Sequence, residues 1–176
     1  MKTVKRFLVL LILVASSTIY ANDMFFCSEL SVGTGFVFYG DSTIKSTNDI
    51  IKNNNGKTFI FTTDISAGLI LDTRLRILVG GTGSADFHIG RDCHSNYLDY
   101  GFFTGIRITP GLGGLGFGID YATGSRTDFV QLPAQSSYVN NSPWGNGFRF
   151  NLDYTFAFPS GFAPSLGFNW RRMPRG

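Results

Sequence analysis

The stretch Phe148-RFNLDYTFA-Phe158 decides how this chain is read. Its even positions hold Phe148, Phe150, Leu152, Tyr154, Phe156 and Phe158, while Arg149, Asn151 and Asp153 fall between them. A helix would return apolar side chains every three or four residues; a period of two puts successive side chains on opposite faces of a strand. The separation is also unusually sharp. Aromatic side chains occupy one face and charges the other.

The same alternation recurs along the chain, in Leu30–Phe38, Phe59–Leu71, Leu75–Ile89, Leu98–Ile108, Leu115–Thr123 and Phe162–Trp170, which makes seven segments with the first. Across them Asp64, Arg76, Asp86, Asp99, Arg107, Asp120, Arg149 and Asp153 share one parity, and the opposite parity carries no charge. A soluble sandwich or lipocalin-like barrel also alternates, but it turns its apolar face inward and needs a charged exterior. Here the lysines beyond the first few residues are Lys45, Lys52 and Lys57, all in one connection, and the polar parity is mostly Gly, Ser, Thr and Asn. That composition suits a lumen. The pattern predicts an all-β, antiparallel, up-and-down transmembrane β-barrel with an apolar outer wall and a charge-paired interior. No later stretch reads as a helix.

Residues 1–21 read as an export signal. Lys2, Lys5 and Arg6 precede the apolar run Phe7–Val14, which is too short for a bilayer span, and Ile19-Tyr20-Ala21 offers a small residue for cleavage. A lipoprotein signal acylated at Cys27 is disfavoured by Phe26 directly before it. Three of the fifteen Lys and Arg lie in the signal, which leaves twelve positive charges against twelve negative in residues 22–176, the expected barrel domain. A near-neutral chain gives no electrostatic basis for nucleic-acid binding.

Short turns are expected at Asp72-Thr73, Pro110–Gly114 and Pro159–Gly161, and longer polar loops at Asp41–Lys57, Gly90–Asn96 and Ser125–Asn146. Long and short would alternate, as they do between the two sides of an outer-membrane barrel. Tyr39, Tyr97, Tyr121, Tyr138, Trp144 and Trp170 lie where an interfacial aromatic girdle belongs. Cys27 and Cys93 would stand at opposite ends of the barrel, beyond disulfide reach.

The strand count does not close, since such barrels have an even number and this length suits eight. Two explanations compete: a strand lost through truncation or frameshift, or unconventional pairing by residues such as Phe129–Leu132. The signal, the Phe- and Gly-rich alternation and the loop pattern resemble the small eight-stranded outer-membrane barrels of the OmpW and OmpA-like type. The texture of FRFNLDYTFAFPSGFAPSLGFNW, Phe148–Trp170, is similar to that of uncharacterised treponemal outer-membrane proteins. The resemblance implies a monomer in the cell outer membrane, in contact with lipid and the barrel assembly machinery. The expected function is a structural role or limited passage of a small solute, with adhesion to a host or surface ligand through the outer loops as the alternative. Arg172 departs from it, standing where a second closing aromatic belongs.

Chemistry-bearing motifs are few. GLGGLG at Gly111–Gly116 matches the dinucleotide fingerprint letter by letter, but Leu115, Phe117, Ile119 and Tyr121 continue as a strand where a helix is required. Asp86, His88, Asp92, His94 and Ser95 contain the residue types for acyl transfer, though a polar loop holds such residues by chance. His88, Cys93 and His94 match no standard metal-ligand spacing. The expectation is a non-enzymatic protein with no cofactor and no metal. Its distinctive feature is the lumen charge network, read first as a structural salt-bridge plug; the alternative is a narrow, gated polar path, for which glycines at 33, 35, 68, 80, 101, 105, 116 and 118 would leave room.

Overall fold

The structure is a computed structural model that describes residues 9–14, 26–72, 74–111, 114–156, 158 and 163–172. The elements are β1 (Val9–Val14), β2 (Phe26–Gly33), α1 (Ser42–Asn53), β3 (Lys57–Asp72), β4 (Leu75–Gly90), β5 (Cys93–Ile108), β6 (Leu115–Gln131), β7 (Tyr138–Asn141), β8 (Gly145–Thr155) and β9 (Ser165–Arg172). The sheet order is β1-β9-β8-β6-β5-β4-β3-β2, antiparallel throughout, with β7 paired to β6 off this path. β1 also lies beside β2, without a ladder between them, so the sheet curls back on itself. The fold is all-β and barrel-like, as the alternation predicts. No described helix is long and apolar enough to cross a membrane.

Register carries the parity rule around the wall. One row runs Ser31–Asp64–Thr82–Gly101–Gly124–Gly145, and a second runs Cys27–Gly68–Leu78–Gly105–Asp120–Arg149–Arg171. Both rows face inward. Phe59, Ile65, Val79 and Phe102 face outward and are each more than 60% exposed, whereas Asp120 and Arg149 are fully buried. This inverts the arrangement of a water-soluble domain. Among the described residues the buried apolar cluster is small, made of Cys27, Leu78, Phe103 and Ala122.

Several expectations about extent need correction. The first wall strand is Phe26–Gly33, not Leu30–Phe38, because its ladder with β3 starts at Phe26↔Leu69 and stops at Gly33↔Thr62. Just beyond it, Thr34 Oγ1 donates to the Ile60 carbonyl at 2.6 Å. The segment Asp41–Lys57 is not a plain loop but contains α1. Asp41 caps that helix by accepting from the Thr43 amide at 2.7 Å, and Ile44, Thr47 and Ile51 form a buried stripe at helical spacing. The many polar residues around two isoleucines hid this period.

Gly90–Asn96 is likewise no long loop. β4 and β5 pair as far as Gly90↔Cys93, leaving a two-residue turn at Arg91 and Asp92 with Asp92 at φ 58°, a conformation aspartate tolerates better than most residues. The strict long–short alternation therefore fails at this connection. Within Ser125–Asn146, β6 continues to Gln131, and Phe129 and Val130 pair with Val139 and Tyr138 of β7. β7 lies off the main strand order, while β6 at these residues stays paired with β5, so the hairpin does not supply an eighth wall strand.

The eighth position is taken by β1, where Ile12 pairs with Gly167 and Val14 with Ser165. Its sequence VLLILV belongs to the segment read as an export signal, and a short β-branched and leucine run suits either role. The rest of that signal, residues 1–8 and 15–21, lies outside the described residues, as do Thr73 and the turn expected at Pro159–Gly161.

At the opposite end from α1, Gly111 and Gly114 adopt φ of 83° and 106°, which glycine reaches without steric cost. β6 begins at Leu115, so a strand stands where the dinucleotide fingerprint requires a helix. Cys27, beside Gly68, and Cys93, in the tight turn at the loop end, are both buried free thiols.

Candidate functional site

The inward parity gathers its charges into three levels. At the middle level Asp120 of β6 accepts from Arg107 Nη1, from Arg107 Nη2 at 3.1 Å, from Arg149 Nε at 2.9 Å and from Asn151 Nδ2 at 2.9 Å. Arg149 Nη2 lies 2.7 Å from the same carboxylate. Arg149 also reaches Asp64 Oδ2 at 2.8 Å and Thr82 Oγ1 at 3.2 Å, with its guanidinium carbon 3.9 Å from the centre of the Phe103 ring. β8 and β3 stand four places apart in the sheet order, so the Arg149–Asp64 contact crosses the lumen. Buried charges survive only when paired, and each charge of this layer has an opposite charge within ion-pair distance, although Asp64 Oδ1 and Arg149 Nη2 lack a hydrogen bond.

The glycines explain how the layer fits. A Cβ on Gly105 would overlap the Asp120 carboxylate, one on Gly118 would come within 2.7 Å of Arg107, and one on Gly116 within 2.8 Å of Asp153. Gly80 similarly admits the Phe103 ring at 2.9 Å. The room expected at Gly80, Gly105, Gly116 and Gly118 is therefore already occupied. They are sockets for the plug rather than the lining of an open path.

Nearer the loop end, α1 packs against the inner faces of β4 and β5. Asn48 on α1 accepts hydroxyl bonds from Ser95 at 2.8 Å and Tyr97 at 2.9 Å, and its Nδ2 lies 3.4 Å from His88 Nε2. Tyr39 donates to Asp86 Oδ2 at 2.6 Å, and His88 Nε2 lies 3.0 Å from the same oxygen. Arg126 makes a two-pronged contact to Asp128 at 2.5 and 2.9 Å and lies 5.7 Å from the Tyr39 and Tyr97 ring centres. Burial, with the Asp86 carboxylate beside it, holds the Tyr39 phenol well above its usual range, so it remains a donor. Helix and tyrosines thus form a second closure above the first.

Of the expected network, Asp64, Arg107, Asp120 and Arg149 meet in the middle layer. Arg76 lies toward the turn end and pairs with Glu29 at 2.5 Å, while Asp153 accepts from Thr155 Oγ1 at 3.2 Å. Asp86 belongs to the upper closure, and Asp99 faces inward between Ser84 and Arg126 in register. Glu29, Arg126, Asp128 and Arg171 were missed for one reason. Each continues the charged parity just outside an expected strand, Glu29 before a start placed too late and Arg126, Asp128 and Arg171 beyond an end placed too early.

The aromatic expectation divides as well. Tyr39 and Tyr97 face inward with rings 4.9 Å apart, so they are not girdle residues. Tyr121, Tyr138 and Trp144 are exposed, with Trp144 stacked on Phe102 at 6.4 Å, and Trp170 lies 5.5 Å from Phe150.

Of the acyl-transfer candidates, Asp86, His88 and Ser95 come together on the inner wall, His88 standing opposite Ser95 in register and 3.0 Å from Asp86 while His88 and Ser95 both contact Asn48; Asp92 and His94 do not join them. Ser95 is fully buried and donates to Asn48, while His88 sits between Asp86 and the Thr58 hydroxyl, 3.2 Å from Nδ1. Asp92 is exposed beside Arg91, and His94 lies on the opposite parity from Ser95. Among the described residues no group of three His, Cys, Asp or Glu could hold a metal ion. No family model, curated protein or solved structure matches the chain.

Proposed function

We propose that this protein is an integral outer-membrane β-barrel whose wall sits in lipid and whose lumen is sealed by charge pairing. The observation that carries this reading is the inverted wall, phenylalanine and aliphatic side chains exposed outside and arginine and aspartate fully buried inside. An apolar surface this extensive has no place in water, and antiparallel ladders running from β1 round to β2 pair the backbone polar groups of the curled wall with one another. Along β3 the outward belt runs from Phe59 to Leu71. At about 3.3 Å per residue and a tilt of roughly 45°, it covers about 28 Å, close to the hydrocarbon thickness.

Two closures in series favour a structural barrel over a free solute path. Liposomes carrying the refolded protein are expected to swell no faster in small sugars than empty vesicles. Swelling that falls with sugar size would instead identify an open pore. A second reading, a surface protein that binds a ligand through its loops, is favoured by the exposure of Tyr138, Val139 and Trp144 around β7. It predicts whole-cell ligand binding that is lost when residues 125–146 are exchanged while the barrel still folds.

A further inference from the structure

Below the Arg149–Asp120 layer the interior opens as a polar cavity whose wall includes Asp64, Arg76, Arg107, Asn151, Asn169 and Arg171. Most interior guanidiniums already have carboxylates: Arg76 has Glu29, Arg107 and Arg149 share Asp120, and Arg126 has Asp128. Arg171 differs. It is 93% buried, since 7% of its surface is exposed, its Nε has no hydrogen-bond partner, and no carboxylate lies within ion-pair distance among the described residues. Two acceptors on the same wall, Asp64 Oδ1 and Asn169 Oδ1, are buried and unpartnered as well.

The unmet groups form a complementary set, one cationic donor and two acceptors, one of them anionic. A simple anion would satisfy Arg171 but leave both acceptors unmet, one of them on the Asp64 carboxylate whose other oxygen Arg149 holds, and a simple cation would leave Arg171 unmet. We infer that the cavity binds a small zwitterion of the α-amino carboxylate class, with its carboxylate on Arg171 and its ammonium on Asp64 Oδ1 and Asn169 Oδ1. Guanidinium–carboxylate pairing supplies a charge-assisted, two-pronged contact, and the ammonium donates to both oxygens. No covalent step is involved. The inference rests on the barrel interior and not on where the barrel resides.

The test uses the refolded full chain in detergent, scored on its heat-modifiable folded band so that only folded protein is counted. Glycine, acetate and methylammonium are titrated separately at constant ionic strength, and the midpoint of thermal unfolding is read. Glycine is expected to raise the midpoint by several degrees with saturation, acetate by clearly less and methylammonium not at all. Arg171→Gln is expected to abolish the glycine shift, and Arg171→Lys to weaken it while keeping the interior charge. Non-saturating stabilisation would be the solvent-exclusion effect of an osmolyte and would overturn the site, as would a shift unchanged in Arg171→Gln. Acetate acting as strongly as glycine would overturn the zwitterion in favour of an anion.

Discussion

Replacing Ile65 with arginine is expected to lower the stability of the bilayer-embedded barrel by about 2–4 kcal/mol, the cost of a cationic side chain on the lipid face near the midplane. Ile65 is 67% exposed and sits at the centre of the outward belt from Phe59 to Leu71. In a water-soluble protein the same change would place a charge where water already is, and surface substitutions of that kind stay within about 0.5 kcal/mol. The two accounts thus differ in outcome and not only in degree. Leu71→Arg, at the end of the belt, provides the depth control, with an expected cost of about 0–1 kcal/mol near the interface. Denaturant unfolding of barrels refolded in vesicles reads both. Equal costs at the two positions would argue against a lipid boundary across β3.

Asp120→Asn is expected to cost about 3–5 kcal/mol, because removing one partner strands buried charge. The Asp120 carboxylate holds both Arg107 and Arg149 and is itself fully buried. Asparagine keeps the shape but leaves both guanidiniums without their shared counter-charge, and Asp64 alone remains on Arg149. The same vesicle unfolding assay measures it. Asp92→Asn, at the exposed β4–β5 turn, is expected to leave the midpoint unchanged. A small effect at Asp120 would mean that water enters the middle layer and screens the charges there.

The inverted wall was legible in the sequence because side-chain parity is a local property. Phe148, Phe150 and Leu152 against Arg149, Asn151 and Asp153 state which face is which without reference to any partner strand. Extent was less legible. Strand ends were placed where polarity rose, yet Arg126 and Asp128 keep the inward parity while looking like loop residues, and Arg171 lies one step past Trp170. α1 escaped for a related reason: its buried stripe of Ile44, Thr47 and Ile51 includes one threonine and is set among lysine and asparagine. The pairing inside the lumen could not be read at all. Arg149 and Asp64 are 85 residues apart and meet only because the sheet curls. Likewise, nothing local says that glycines at 105 and 118 receive Asp120 and Arg107; that follows from register.

The claim beneath all of this is that the outer wall touches lipid, and tryptophan fluorescence tests it directly. Trp170 lies on the outer wall beside Phe150, and Trp144 stacks on Phe102 at the loop-end edge of that wall. In vesicles containing lipids brominated along their acyl chains, emission is expected to be strongly quenched, while aqueous iodide quenches it weakly. Strong iodide quenching with no effect of brominated lipid would contradict the account and return the chain to water.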